Sequence, residues 1–168
     1  MQSWFILYTK PRAEKKIKEE LDALKIQNFL PLLKQKRKWS DRTKIIEIPM
    51  FASYVFVFMD YLQDSLKVLS RPNSLQFIHF ENKPATISEE EIQMIELFLE
   101  EYPEQLKIQE LNKIKIGNEI EIKEGPFAGK TGIIEKIKNK FFLILKIKSL
   151  QKEISVEVNL KELGIDFP

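Results

Sequence analysis

The chain carries one histidine, His79, and no cysteine in 168 residues. Thiolate-held zinc, disulfides, thiol nucleophiles and any centre needing two imidazoles are thereby excluded. The densest acidic group, Glu89-Glu90-Glu91, follows Ser88 in the pattern of a capping box. There the serine accepts a backbone N–H three residues on, and a glutamate reaches back to the serine amide. These acids therefore read as a helix start and not as a catalytic pair. His79 stands without the cooperating groups that catalysis needs. The expectation is a non-catalytic protein with no cofactor and no metal. What remains for chemistry is positive charge and aromatic surface. Lys34 to Lys44 holds six basic residues in eleven, with one acid and Trp39. Lys10, Arg12 and Lys15 cluster at the start of a helical pattern, and Arg71 stands just before Pro72. Cations grouped in this way suit a polyanion.

The net charge of +2 conceals a segregation. Residues 1–60 carry 12 Lys and Arg against 7 acids, residues 61–112 carry 4 against 10, and residues 113–168 carry 11 against 8. Two basic blocks thus flank an acidic one. Hydrophobic residues make up 43% and charged residues 31%, the composition of a soluble globular protein. No apolar run approaches the roughly 18 residues of a membrane span, and Met1-Gln2-Ser3-Trp4 does not resemble a secretory signal. The expected compartment is the cytoplasm.

The elements that must position these groups follow from periodicity. Trp4 to Tyr8 is an apolar run of aromatic and branched residues and predicts a buried strand. Lys10-Pro11 predicts the first turn of a helix, continued by Ala13, Ile17, Leu21 and Leu24. Phe29 to Leu33 is strand-like, with Pro31 suggesting an edge. The basic stretch predicts an exposed hairpin arm, with Ile45 to Pro49 as its return strand. Tyr54 to Met59 is apolar on both faces and predicts a central strand. Leu62, Leu66 and Leu69 mark a second helix, stopped near Pro72-Asn73, and Arg71 is expected to be exposed there. Leu75 to Phe80 predicts a further strand. Ile92, Ile95 and Leu99 are the expected buried face of the helix that Ser88 caps. The order β-α-β-β-β-α-β-α is a mixed α/β sandwich of the α+β class.

A polar stretch with Pro103 follows, its later part, residues 105–113, reading as a linker. The pattern then becomes alternating: Ile114, Ile116, Ile120 and Ile122, then Phe141, Leu143, Leu145 and Ile147, then Ile154, Val156 and Val158. Four or five short strands in so few residues predict a small β-barrel over 114–168. Gly125, Gly129 and Gly132 with Pro126 weigh against a helical form early in this unit. Ile133 to Leu150 contains neither Gly nor Pro, so breakers alone leave a helical alternative open there.

The stretch Lys123-Glu124-Gly125-Pro126-Phe127-Ala128-Gly129-Lys130-Thr131-Gly132 resembles the KOW motif of NusG-type transcription factors and some ribosomal proteins. Trp4–Tyr8, the Lys10–Leu24 helix, Pro49-Met50-Phe51-x-x-Tyr54-Val55-Phe56-Val57 and Ser88-x-x-Glu91-Ile92 resemble the NusG N-terminal domain in order and spacing. The resemblance covers essentially the whole chain. Met1-Gln2-Ser3-Trp4 and Leu7-Tyr8-x-Lys10 look like the RfaH-type paralogues. Trp39-Ser40-Asp41-Arg42 looks like the antiterminators of capsular polysaccharide operons. One departure is Phe51-Ala52-Ser53-Tyr54, where the family has Phe-Pro-Gly-Tyr or Phe-Pro-Asn-Tyr.

The resemblance implies an N-terminal domain over 1–104, a linker over 105–113 and a KOW-containing, SH3-like barrel over 114–168. It implies docking on the clamp of the largest RNA polymerase subunit through Tyr8, Phe51, Tyr54, Phe56, Phe80 and Leu97. Lys10, Arg12, Lys15 and Arg71 match positions that meet the non-template DNA strand. Gly125, Pro126, Phe127, Gly129 and Gly132 carry the KOW motif. The loop bearing Leu150 and Lys152 matches the family's partner loop for a small-subunit ribosomal protein or Rho. Leu150 and Lys130 stand where general NusG proteins have aromatics, which disfavours Rho. The implied activity is operon-specific elongation or antitermination by a monomer. The alternatives are a housekeeping elongation factor or a KOW-type RNA-binding protein of the ribosome.

Overall fold

The computed structural model describes residues 1–111 and 118–166. Ile114 and Ile116, expected to open the barrel, lie outside the described residues. The chain divides into two compact units, Met1–Gln93 and Met94–Pro168. Among the described residues no helix is long and apolar enough to cross a membrane.

The first unit runs β1 (Gln2–Thr9), α1 (Glu14–Ala23), β2 (Asn28–Phe29), β3 (Leu32–Lys38), β4 (Thr43–Pro49), β5 (Tyr54–Asp60), α2 (Tyr61–Leu69), β6 (Ser74–Phe77), β7 (His79–Phe80), β8 (Lys83–Pro84) and β9 (Thr86–Ile87). It then enters α3 (Glu89–Glu101), whose later residues belong to the second unit. Its main sheet has the order β2-β5-β1-β6, with β9 also pairing β1. β1 and β5 are antiparallel from Gln2↔Asp60 to Tyr8↔Tyr54. Because side chains alternate across a strand, this register sorts two faces. Phe5 and Leu7 join Val55, Val57 and Met59 on one face and pack with Ile17, Leu21, Val68 and Phe77. Trp4, Ile6 and Tyr8 stand opposite Phe58, Phe56 and Tyr54 on the other. The capping box forms as expected: Glu91 N–H donates to Ser88 Oγ at 3.1 Å, and Ser88 N–H to Glu91 Oε2 at 3.0 Å.

Four local expectations are corrected. Pro11 does not open α1. Lys10 to Ala13 is a turn, with Ala13 N–H on Lys10 O at 3.1 Å and Arg12 at φ 63°. Proline at its second position and a positive φ at its third are the features of a type II turn. In α2 the helix forms, but Leu62 and Leu66 are 92% and 79% exposed while Ser65 and Val68 are buried. β5 runs into α2 without a loop, and Asp60 caps it by accepting the N–H groups of Leu62 and Gln63. That cap sets the rotation of the helix, turning Tyr61 onto Phe5 and Phe77. In α3 the third buried residue is Phe98, with Leu99 only half-buried. Lys107–Glu110, within the expected linker, is a strand.

In the second unit that strand, β10, is followed by β11 (Asn118–Glu121), β12 (Thr131–Ile137), β13 (Lys140–Ile147) and β14 (Lys152–Val158). They form one antiparallel sheet in the order β10-β14-β13-β12-β11. Pairing Ile108 with Ile154 extends the apolar alternation onto β10, which is why a polar-looking stretch becomes sheet. Ile133 to Leu150, free of breakers, forms strands β12 and β13 and a short 3-10 turn over Lys148–Leu150.

Candidate functional site

The end of β1 is where most of the expected docking and nucleic-acid residues meet. Tyr8 and Tyr54 are directly paired, half-buried, with ring centroids 5.9 Å apart. One residue on, Thr9 N–H donates to Ser53 O at 2.8 Å. One further, Lys10 N–H donates to Asn73 O at 3.0 Å. The Phe51–Tyr54 turn and the Arg71–Ser74 turn are thus both fastened to consecutive residues of one strand. The pairing of β1 with β6 shifts at Tyr8/Thr9 to accommodate this.

The Phe51–Tyr54 turn closes with Tyr54 N–H on Phe51 O at 3.2 Å and holds Ser53 at φ 66°. A side chain in this left-handed region is strained, which is why glycine or asparagine is the usual choice there. Ser53 N–H donates to Glu14 Oε1 at 2.7 Å, and both residues are buried. The type II turn before α1 delivers Glu14 to this spot. Glu14 and Ser53 are the residues that sequence reasoning missed. Their signal was a Phe-x-Ser-Tyr turn without its glycine and an acid at the first position of a helix.

The other aromatics separate by depth. Phe51 is 3% exposed and packs edge-on to Phe56, centroids 6.0 Å apart. Phe56 is fully buried and stacks on Phe29 at 6.1 Å. Phe51, expected at the docking surface because it stands beside a loop, is instead buried, as is Phe56. Phe80 is 69% exposed on the β7–β8 hairpin. Leu97 is half-buried in the part of α3 that belongs to the second unit.

Among the basic residues, Lys10, Arg12 and Lys15 are exposed. Lys15 Nζ donates to Glu47 O at 2.8 Å and so ties α1 to β4. Arg71 is half-buried and not open as expected. Its turn folds back through Ser74 N–H on Arg71 O at 3.1 Å, and its Nη2 donates to Ser70 Oγ at 3.3 Å. Its buried Nε has no partner among the described residues. His79 Nδ1 lies 2.8 Å from Phe77 O.

In the second unit the KOW stretch forms a compact loop. Gly129 N–H donates to Ile122 O at 2.8 Å, and Lys130 N–H to Phe127 O at 3.0 Å. Gly129 adopts φ 82°, and a Cβ at Gly132 would lie 2.6 Å from Leu143 Cδ1. Pro126 stands between Gly125 and Phe127 in this loop. Phe127 is fully buried against Phe98 and Tyr102, at 5.1 and 6.1 Å between centroids. Burial in this cluster, then the nearby Glu162 and Glu101, raise the Tyr102 phenol above its ordinary value. Leu150 and Lys152 flank the β13–β14 connection. Leu150 is half-buried, and Lys152 is ion-paired with Glu110.

Residues 2–96 match the family model described as transcription termination factor nusG. The transcription termination/antitermination protein NusG of Rickettsia felis is 24% identical over 173 residues, covering 96% of this chain and 89% of its own. A solved structure of Thermotoga maritima NusG is 23% identical and superimposes with a TM-score of 0.51, covering 96% of both chains. That likeness bears on the fold. The family match extends over more than half of the sequence and takes in the whole β1 hub, from the tyrosine pair to both fastened turns: the chain belongs to the NusG family of transcription factors.

Proposed function

We propose that the chain is an operon-specific elongation and antitermination factor that docks on the clamp of the largest RNA polymerase subunit and suppresses pausing or termination. The carrying observation is the Tyr8–Tyr54 pair, half-buried and rigidly mounted beside the left-handed Ser53 turn. Tyrosines are among the usual anchors of an interface. Phe51 and Phe56 are buried and pack on each other, and Phe80 is a separate exposed contact. Leu97, in the second unit, is a further residue of the docking set. Lys10, Arg12, Lys15 and Arg71 meet the non-template strand, through phosphate attraction in the main. The Lys10–Asn73 hydrogen bond, which brings Lys10 to the Arg71 turn, supports their acting together.

The rest of the proposal concerns the second unit. The chain acts as a cytoplasmic monomer with a docking domain over 1–104 and a KOW domain over 114–168 whose sheet also takes in β10. The Leu150–Lys152 connection recruits a small-subunit ribosomal protein in preference to Rho. A housekeeping elongation factor would share the docking surface but would act on every template alike.

The test is binding to core RNA polymerase, followed by pause assays. Tyr8→Ala/Tyr54→Ala should weaken binding about 30-fold, the equivalent of roughly 2 kcal/mol for anchor truncation, without unfolding. Lys10→Glu/Arg71→Glu should keep polymerase binding but lose pause suppression that depends on the non-template strand. Unchanged affinity of the tyrosine variant overturns the docking reading.

A further inference from the structure

The basic arm is a strongly charged feature that the docking surface does not absorb. β3 and β4 form their own two-stranded sheet, apart from the main one, and Lys34 through Ile45 are all exposed. The register is fixed: Lys34↔Glu47, Lys36↔Ile45 and Lys38↔Thr43 alternate with Gln35↔Ile46 and Arg37↔Lys44. Trp39 N–H donates to Arg42 O at 2.7 Å, so a Ser40-Asp41 tip closes the hairpin. Directly opposed residues share a face. One face therefore carries Lys34, Lys36 and Lys38, with Glu47 opposite Lys34 as its one acid. The other carries Arg37, Lys44, Arg42 and the indole of Trp39, which is 53% exposed.

Two features of this arm need a partner to make sense. Arg37 and Lys44 are like charges placed directly opposite, which weakens a sheet. They lie on a two-stranded ribbon, itself only marginally stable alone. A polyanion relieves that repulsion. The second feature is that both faces are basic. A surface that tracks a single strand gathers its cations and stacking rings along one groove. A ribbon charged on both faces fits between two phosphate backbones. The major groove of B-form DNA, about 12 Å wide, admits a two-stranded ribbon, whereas the A-form groove of duplex RNA is too narrow.

We propose that the β3–β4 arm inserts into the major groove of duplex DNA, Lys34, Lys36 and Lys38 facing one backbone, Arg37, Arg42 and Lys44 the other, with Trp39 just behind the Ser40-Asp41 tip. This surface is distinct from the Lys10/Arg71 turn, and the inference does not rest on polymerase docking.

The test uses the full chain and a labelled DNA duplex of about 20 base pairs without polymerase, read by fluorescence anisotropy across a salt series. Single-stranded DNA and duplex RNA of the same sequence serve as competitors. Lys36→Glu/Lys38→Glu on one face and Arg37→Glu/Lys44→Glu on the other should each lower affinity tenfold or more. Each should also reduce the salt slope by about 2, at roughly 0.9 per phosphate contact. Trp39→Ala should weaken duplex binding without changing that slope. Circular dichroism of both charge variants should match the parent, because the arm lies outside the main sheet. Equal or better competition by single-stranded DNA or duplex RNA would overturn the proposal. So would loss of binding confined to one face, or parent-like affinity in both charge variants.

Discussion

Removing the carboxyl of Glu14 should loosen the Phe51–Tyr54 turn although Glu14 contributes no surface to the tyrosine pair. In Glu14→Ala the Ser53 N–H loses its 2.7 Å acceptor in a buried setting. An unsatisfied buried donor costs about 1–3 kcal/mol. The left-handed conformation of Ser53, at φ 66°, already costs about 1–2 kcal/mol that the hydrogen bond offsets. Without it the turn relaxes. Two readouts follow. Stability of the first unit in urea should fall by about 2 kcal/mol. If the relaxed turn lies about 1 kcal/mol below the native one, only about a sixth of molecules present the tyrosine pair correctly, and apparent affinity for polymerase weakens about sixfold.

Two companion variants separate strain from hydrogen bonding. Glu14→Gln keeps an acceptor oxygen and should lose less than half of what Glu14→Ala loses. Ser53→Gly removes the strain of the left-handed residue, so Glu14→Ala/Ser53→Gly should recover about 1 kcal/mol relative to Glu14→Ala. If Glu14→Ala changes stability by less than about 0.5 kcal/mol and leaves polymerase affinity intact, the carboxyl does not hold the turn.

Gly132→Ala places a Cβ 2.6 Å from Leu143 Cδ1 and 3.2 Å from Ile122 Cδ1; it should destabilise the second unit by about 1–3 kcal/mol, read as a lower urea midpoint for that unit. The Asp22 carboxyl is held below its ordinary value by the Asn28 amide and then by Lys18. Its folded value therefore lies below the unfolded value of about 3.9, so its contribution is present above that value and is lost as pH falls through the folded one. Urea midpoints measured from neutral pH to about pH 3 should fall less steeply for Asp22→Asn than for the parent.

How much of this was legible in the sequence depends on whether local pattern or tertiary contact decides. The capping box, the central strand and the hairpin arm each follow from residues adjacent in the chain, and each forms as read. The face of α2 does not: three leucines at helical spacing point to a buried stripe, yet the Asp60 cap and the direct β5–α2 join turn Leu62 and Leu66 outward. β10 reads as linker because its polar residues alternate with few apolar ones; only its partner β14 makes it a strand. The Glu14–Ser53 bond spans 39 residues and leaves no periodic trace. It was visible only as a turn lacking the glycine it should need.

The geometry at the end of β1 holds the tyrosine pair and the Arg71–Ser74 turn in fixed relation. Tyr8, Thr9 and Lys10 are successive residues. The first pairs with Tyr54, the second holds Ser53 and the third holds Asn73. Alternation along an extended strand turns Thr9 to the side opposite Tyr8, and the strand ends at Thr9, where its pairing with β6 shifts. Thr9 is fully buried, with its Oγ1 donating to Lys10 O at 3.1 Å. That leaves little freedom for one turn to move against the other. A substitution that loosens Thr9 should therefore disturb the tyrosine pair and the basic turn together. Substitutions in the β3–β4 arm, held to α1 by Lys15 on Glu47 O, should leave both in place.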